Sequence, residues 1–154
     1  FKVYVPAARL ARAAVSTPAF YGWDREDGLL PVEGPYPQWD LPEVRWANSA
    51  VTTLGFVGQA EEMELRLDVR RNDRTDQTMT VRLNGEVLGR YSFGDLWAFV
   101  PVRFKLPTHA GRNVITLEYA NTNEPGPARS VLFRTLQILP EARVATAPAR
   151  ADER

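Results

Sequence analysis

Six aromatic rings are the side chains in this sequence best suited to hold a ligand: Tyr21, Trp23, Tyr36, Trp39, Trp46 and Trp97. An indole or phenol is rigid, apolar across its face and polar at its edge. Such a ring stacks on the C–H face of a sugar while neighbouring polar groups hydrogen-bond the hydroxyls. The rings also have a structural alternative, in which they plug the open end of a hydrophobic core. Trp46 is the one most expected to be buried. Glu33 and Arg45 fall in the same part of the chain. Beside aromatics, a carboxylate and a guanidinium can bind a sugar diol through charged hydrogen bonds. Alternatively, they form an ion pair that ties a loop to a sheet.

Other chemistries have less to work with. The chain has no cysteine, which excludes disulfides, thiol nucleophiles and Cys-based metal sites, and its one histidine, His109, excludes multi-His sites. His109 follows Pro107-Thr108 in an expected turn and has no nucleophile beside it. Asp24-Arg25-Glu26-Asp27-Gly28 and Asn72-Asp73-Arg74-Thr75-Asp76 each gather oxygen ligands of the kind calcium takes. Neither has the spacing of an EF-hand loop, and acids beside glycine are common in solvated turns. Glu62, Glu64 and Asp68 alternate along one stretch as a solvated face. No two acids are marked as the pair that glycoside hydrolysis needs. The expectation is a domain without catalysis of its own and without a cofactor, any reaction lying elsewhere in a longer parent protein. The formal net charge is zero, so nothing pulls the chain generally toward nucleic acid or anionic lipid. No apolar run approaches a membrane span.

The elements that must position these residues are strands. Asn84-Gly85 sits between Thr78–Leu83 and Glu86–Tyr91, and Asn-Gly between alternating runs is a strong hairpin signal because both residues tolerate φ > 0. Met79, Val81 and Leu83 share one face. Glu62–Arg71 is the cleanest alternation: Met63, Leu65, Leu67 and Val69 inward, Glu62, Glu64, Arg66, Asp68 and Arg70 toward water. Trp97–Leu106 places Val100, Val102, Phe104 and Leu106 on one side and Trp97, Phe99, Arg103 and Lys105 on the other. Ile115, Leu117 and Tyr119 turn inward on the next strand. In Val131–Leu139 the pattern slips after Phe133, which predicts a bulge near Arg134. Val44–Phe56 reads as one strand, with Gly55 and Gly58 bracketing the turn that follows. The expected core is Met63, Leu65, Leu67, Val69, Val81, Leu83, Val102, Phe104, Ile115, Leu117 and Leu136.

The remaining segments are irregular. Ala19–Pro42 is rich in proline and glycine yet carries four of the six rings. It is expected to be an ordered loop, functional or packed over the core. Phe1–Val5 reads as a short strand, and Pro6–Ser16 as helical turns or an edge strand. Residues 1–140 are expected to form one domain and 141–154 a tether or disordered tail. A chain of 154 residues opening on Phe1 reads as a piece of a longer protein. Seven or eight short strands without a long helix predict an all-β antiparallel sandwich or jelly roll.

The order Val81-Arg82-Leu83-Asn84-Gly85, Leu96-Trp97, Val102–Pro107, Gly111-Arg112-Asn113-Val114-Ile115-Thr116-Leu117 and Phe133–Ile138 resembles galactose-binding-domain-like jelly rolls. These occur as carbohydrate-binding modules and accessory domains of bacterial exported or membrane-bound carbohydrate enzymes. Phe20-Tyr21-Gly22-Trp23, Glu33 and Arg45-Trp46 resemble a pattern of extracytoplasmic domains attached to glycosyltransferases or sulfatases. The resemblance spans about Phe20 to Leu139. It implies a periplasmic or cell-surface setting, parent enzyme domains as partners, and carbohydrate held by Trp23, Trp39, Tyr36, Tyr21, Glu33, Arg45 and Trp97. Many such modules carry a structural calcium, and this chain lacks the clear ligand run for it. The alternative from a different class is a sandwich of the same fold that packs against its parent enzyme and binds no sugar.

Overall fold

Residues 17–59, 62–123 and 128–141 are described by a computed structural model. Ten strands occur among them: β1 (Phe20–Tyr21), β2 (Arg25–Asp27), β3 (Arg45–Trp46), β4 (Val51–Gly58), β5 (Met63–Arg71), β6 (Thr78–Leu83), β7 (Glu86–Ser92), β8 (Val100–Leu106), β9 (Gly111–Tyr119) and β10 (Val131–Pro140). The strand expected at Phe1–Val5, the Pro6–Ser16 segment and all but the first residue of the expected tail lie outside the described residues.

In the first sheet β10 pairs with β5 and β5 with β8, while the other edge of β10 takes both β3 and β1. The second sheet runs β2-β4-β9-β6-β7. With β1 and β2 set aside, the orders are 3-10-5-8 and 4-9-6-7. Consecutive strands from β3 to β10 distribute over two facing antiparallel sheets in the double Greek key of a jelly roll. The expected fold class holds.

Alternation fills the space between the sheets. On β5, Met63, Leu65, Leu67, Val69 and Arg71 are buried and the residues between them are half-buried on the outer face. Leu67 faces Leu136 on β10 and Val102 on β8. Val81, Leu83, Ile115 and Leu117 meet them from the second sheet. Every expected core residue is buried except Phe104, which is half-buried at the sandwich edge. Its ring lies over Gly89 of β7, where a Cβ would stand 2.7 Å from it. The register slips between Phe133 and Thr135, which is the bulge expected near Arg134.

Two readings are corrected. Val44–Phe56 is not one strand: Arg45–Trp46 belongs to the first sheet and Val51–Gly58 to the second. Ala47 exchanges backbone hydrogen bonds with Val131 and Ser130, and the chain then crosses the sandwich before β4 begins. Gly55 and Gly58 bracket no turn but lie inside β4. Glycine inside a strand often marks a close approach. A Cβ at Gly58 would stand 2.2 Å from the His109 carbonyl oxygen and 2.5 Å from Asn113 Nδ2. Asn113 is itself buried, donating to the His109 and Gly111 carbonyls at 2.7 and 3.1 Å.

The hairpin turn is as expected, with φ of 51° at Asn84 and 91° at Gly85. Nothing lies within 4 Å of a Cβ placed on Gly85, so a side chain there meets only the backbone penalty. Gly85→Val is expected to cost about 1–2 kcal/mol, and Gly85→Asn clearly less, because asparagine tolerates the left-handed region. Urea midpoints for the two variants check this; equal midpoints for Val and Asn would contradict it.

Candidate functional site

The aromatic segment before β3 folds back on itself. Glu33 and Val44 exchange backbone hydrogen bonds, as do Tyr36 and Leu41. Between them Pro37–Trp39 forms a single 3-10 turn, started by its proline and ended by Asp40 at φ 55°. Trp39 is left at the tip, 65% exposed. Tyr36 lies beside it, with ring centroids 5.2 Å apart and planes tilted by 51°. The Tyr36 hydroxyl donates to Glu33 Oε1 at 2.7 Å. That bond fixes the phenol edge and raises the Tyr36 pKa above its ordinary value.

Neighbouring residues along an extended segment point to opposite faces. Val44 and Trp46 therefore share the side of Glu33, and Arg45 takes the other. The sequence-based pairing of Glu33 with Arg45 is not formed, because this alternation separates them. Trp46, Leu132 and Arg70 lie directly across from one another on β3, β10 and β5. Together with Glu33, Tyr36 and Trp39 they line a groove of about 550 Å³. Trp46, the ring most expected to be buried, is only half-buried because it forms part of the groove wall.

Arg70 links a further ring to this group. Its guanidinium lies 4.3 Å from the centroid of Trp97 and 5.1 Å from that of Phe99. Trp97 is 53% exposed. Arg70 Nε is buried without a hydrogen-bond partner among the described residues. Burial, with the neighbouring Arg71 charge, holds the Arg70 pKa below its ordinary value. Sequence reasoning placed Arg70 in a solvated face and missed it. Alternation reports which side of a strand a residue takes, not what folds over that side.

Tyr21, Trp23 and Arg45 stand apart, in a second depression of about 520 Å³ with Glu26. Arg45 reaches from the edge of the first sheet to the edge of the second. Its Nη1 and Nη2 donate to Glu26 Oε1 and Oε2 at 3.1 and 2.5 Å, and its Nε donates to the Leu30 carbonyl at 2.7 Å. Trp23 Nε1 adds a bond to Glu26 Oε1 at 2.9 Å. Trp23 itself packs half-buried against the core. Arg45 is thus a clasp between sheet edges, and Glu26 takes the partner role expected of Glu33.

The hydrogen bonds from Arg45, aided by that from Trp23, hold the Glu26 carboxyl below its ordinary value of 4.5 against the opposing effect of burial. A carboxyl depressed by folding contributes stability above its unfolded pKa and loses it as the pH falls through the folded value. Glu26→Gln is therefore expected to lower stability near neutrality and to flatten its decline below pH 4.5. Thermal midpoints from pH 7 to 3 check this; parallel curves for wild type and variant would contradict it.

The acidic runs are largely committed. Asp24 accepts from Arg112 Nη1 and Nη2, both at 2.8 Å, which lowers its pKa. Asp76 accepts from Arg74. Among the described residues no three His, Asp or Glu side chains are grouped to hold a metal ion.

No protein-family model matches this chain, and no curated protein matches it. Among solved structures, the chain is similar to the C-terminal CBM6 of LamC, a marine laminarinase from Zobellia galactanivorans, at 12% identity over 76% of this chain and 92% of that one, with a TM-score of 0.43. It is also similar to a carbohydrate-binding module of Cellvibrio mixtus lichenase 5A in complex with cellotriose, at 11% identity over 76% and 90% of the two chains and a TM-score of 0.44. A family 35 carbohydrate-binding module from Clostridium thermocellum is similar at 15% identity over 71% and 88%, with a TM-score of 0.38.

Proposed function

We propose that this domain is a non-catalytic carbohydrate-binding module whose sugar lies in the groove between Trp39, Tyr36 and Trp46. One observation carries this reading. Trp39 is exposed at the tip of a braced turn, beside a phenol oriented by Glu33, above a groove with Arg70 on its far side. An exposed indole beside a phenol and an apolar groove with a polar rim is the kind of patch that marks a ligand groove, and polar groups within reach of its edge suit sugar hydroxyls. The absence of catalysis rests on the acids. Glu33 is the only carboxylate residue lining the groove among the described residues, whereas glycoside hydrolysis uses two across the scissile bond. The setting we propose is an exported or membrane-anchored protein, in which the module holds polysaccharide near a parent enzyme.

Titration with an oligosaccharide panel, followed by indole fluorescence, tests the reading. Binding in the millimolar range, about −4 kcal/mol, is expected for the matching glycan. Trp39→Ala is expected to abolish the signal while leaving stability within about 0.5 kcal/mol, as for an exposed residue. A glycan array without a binder would overturn the reading and leave the exposed rings to a protein partner.

A further inference from the structure

We infer that the outer face of the first sheet selects an acidic glycan, one bearing carboxylate or sulfate on successive sugars. The inference rests on the sugar-binding reading above and names its substrate class. Two rows of side chains cross this face. One is Trp46–Leu132–Arg70, ending against Phe99 and Trp97. The other is Tyr21–Gln137–Arg66–Arg103 over β1, β10, β5 and β8. Arg66 and Arg103 stand directly opposite each other on adjacent strands, an arrangement that costs stability between like charges.

Glu64 and Asp68 flank Arg66 on the same face of β5, but neither is ion-paired with Arg66 or Arg103. Among the described residues neither Arg66, Arg103 nor Arg70 forms an ion pair. Asp68, between the rows, is already bound by Arg134 at 2.7 Å. On β5, β8 and β10 this face carries Glu64 and Asp68 against Arg66, Arg70, Arg103, Lys105 and Arg134, so basic groups outnumber acidic ones there. Arg70 is poised for an anion in a particular way. Its guanidinium carbon lies 4.3 and 5.1 Å from the Trp97 and Phe99 ring centroids, its Nε has no hydrogen-bond partner among the described residues, and a planar guanidinium fork matches a carboxylate or sulfate. The rows are four residues apart along β5, about 13 Å at the rise of a strand. One anionic group does not reach both. A polymer with repeated charge does, and the rings along the rows give its sugars surfaces to stack on.

The test uses the whole domain and polygalacturonate, the same polymer fully methyl-esterified, chondroitin sulfate, the neutral glucan laminarin and a single-stranded oligonucleotide, with affinity followed against salt. Polygalacturonate or chondroitin sulfate is expected to bind, more weakly as salt rises; the first carries carboxylate alone and the second both groups, so binding of polygalacturonate shows that carboxylate suffices and binding of chondroitin sulfate alone shows that sulfate is required. Esterification, or Arg70→Gln, is expected to weaken polygalacturonate binding by about tenfold or more, the scale of a lost charged hydrogen bond. The double variant Arg66→Gln, Arg103→Gln is expected to lose affinity while its unfolding midpoint stays or rises, which separates recognition from folding. Equal binding of free and esterified polymer, or binding of laminarin alone, would overturn the acidic-glycan inference and leave sugar binding standing. No binding to any polysaccharide would overturn both. Oligonucleotide binding as tight as that of the glycans, and insensitive to Trp39→Ala, would show a general polyanion surface and overturn the glycan.

Discussion

Leu67→Ala is expected to lower the unfolding free energy by about 2–5 kcal/mol, the range for truncating a large aliphatic side chain in a packed core. Leu67 is 2% exposed and sits on the middle strand of its sheet, between Leu136 and Val102. Strands on both sides hold its backbone, so neighbours have little freedom to fill the space the alanine leaves. The upper part of the range is expected for that reason. Phe104→Ala removes more atoms, but its ring is only half-buried at the sandwich edge, so its cost is expected to be the smaller of the two. Urea unfolding followed by tryptophan fluorescence gives both values. An unchanged midpoint for Leu67→Ala would refute the register of β5.

Gln77→Leu is expected to cost about 3 kcal/mol, chiefly from polar groups stranded in the interior. Gln77 is fully buried just before β6. Its Nε2 donates to the Asn121 and Ser130 carbonyls at 2.6 and 2.9 Å. Its Oε1 accepts from the Thr78 and Asn121 N–H groups at 3.1 and 2.9 Å. One amide side chain thus ties the β5–β6 loop to both ends of the β9–β10 loop at the same end of the sandwich. Leucine preserves most of the volume, so the loss reports hydrogen bonds rather than a cavity. Wild-type stability in this variant would show that water replaces the amide at no cost.

What was legible in the sequence was local. The Asn84-Gly85 turn, the alternation of Met63–Val69 and the slip after Phe133 each declare themselves within a few residues, because turn dihedrals and the period of two are properties of short segments. Pairing between distant segments left no such mark. Arg45–Trp46 and Val51–Gly58 look continuous in hydrophobicity, yet Ala47 bonds to Val131 and the chain changes sheets. Gly55 and Gly58 carry the composition of a turn, but the Asn113 amide and His109 carbonyl beside Gly58 belong to a strand pair that only the fold assembles. Gln77 and Asn72 flank an apparently solvated polar turn and prove to be buried. At the candidate site the ring types were legible and their grouping was not. Trp39, Tyr36, Glu33 and Trp46 come together, Trp97 joins them through Arg70, and Tyr21, Trp23 and Arg45 fall around Glu26.

The place of β10 sets the order in which this domain can be made. It is the last strand in sequence among the described residues and an inner strand of its sheet: Phe20 pairs with Leu136, Trp46 with Leu132, and Met63 with Pro140. On the ribosome, β1, β3 and one edge of β5 emerge and wait, because the strand that joins them has not yet been translated. Folding outward from the N-terminus is closed to the first sheet. Such long-range pairing is slow to form, since the whole intervening chain must be closed before contacts repay it. Until Val131–Pro140 arrives, the backbone edges of the sheet are open to strands from other chains. A message broken off between β9 and β10 would therefore yield not a smaller module but a chain with unpaired edges, destined for chaperones or aggregates.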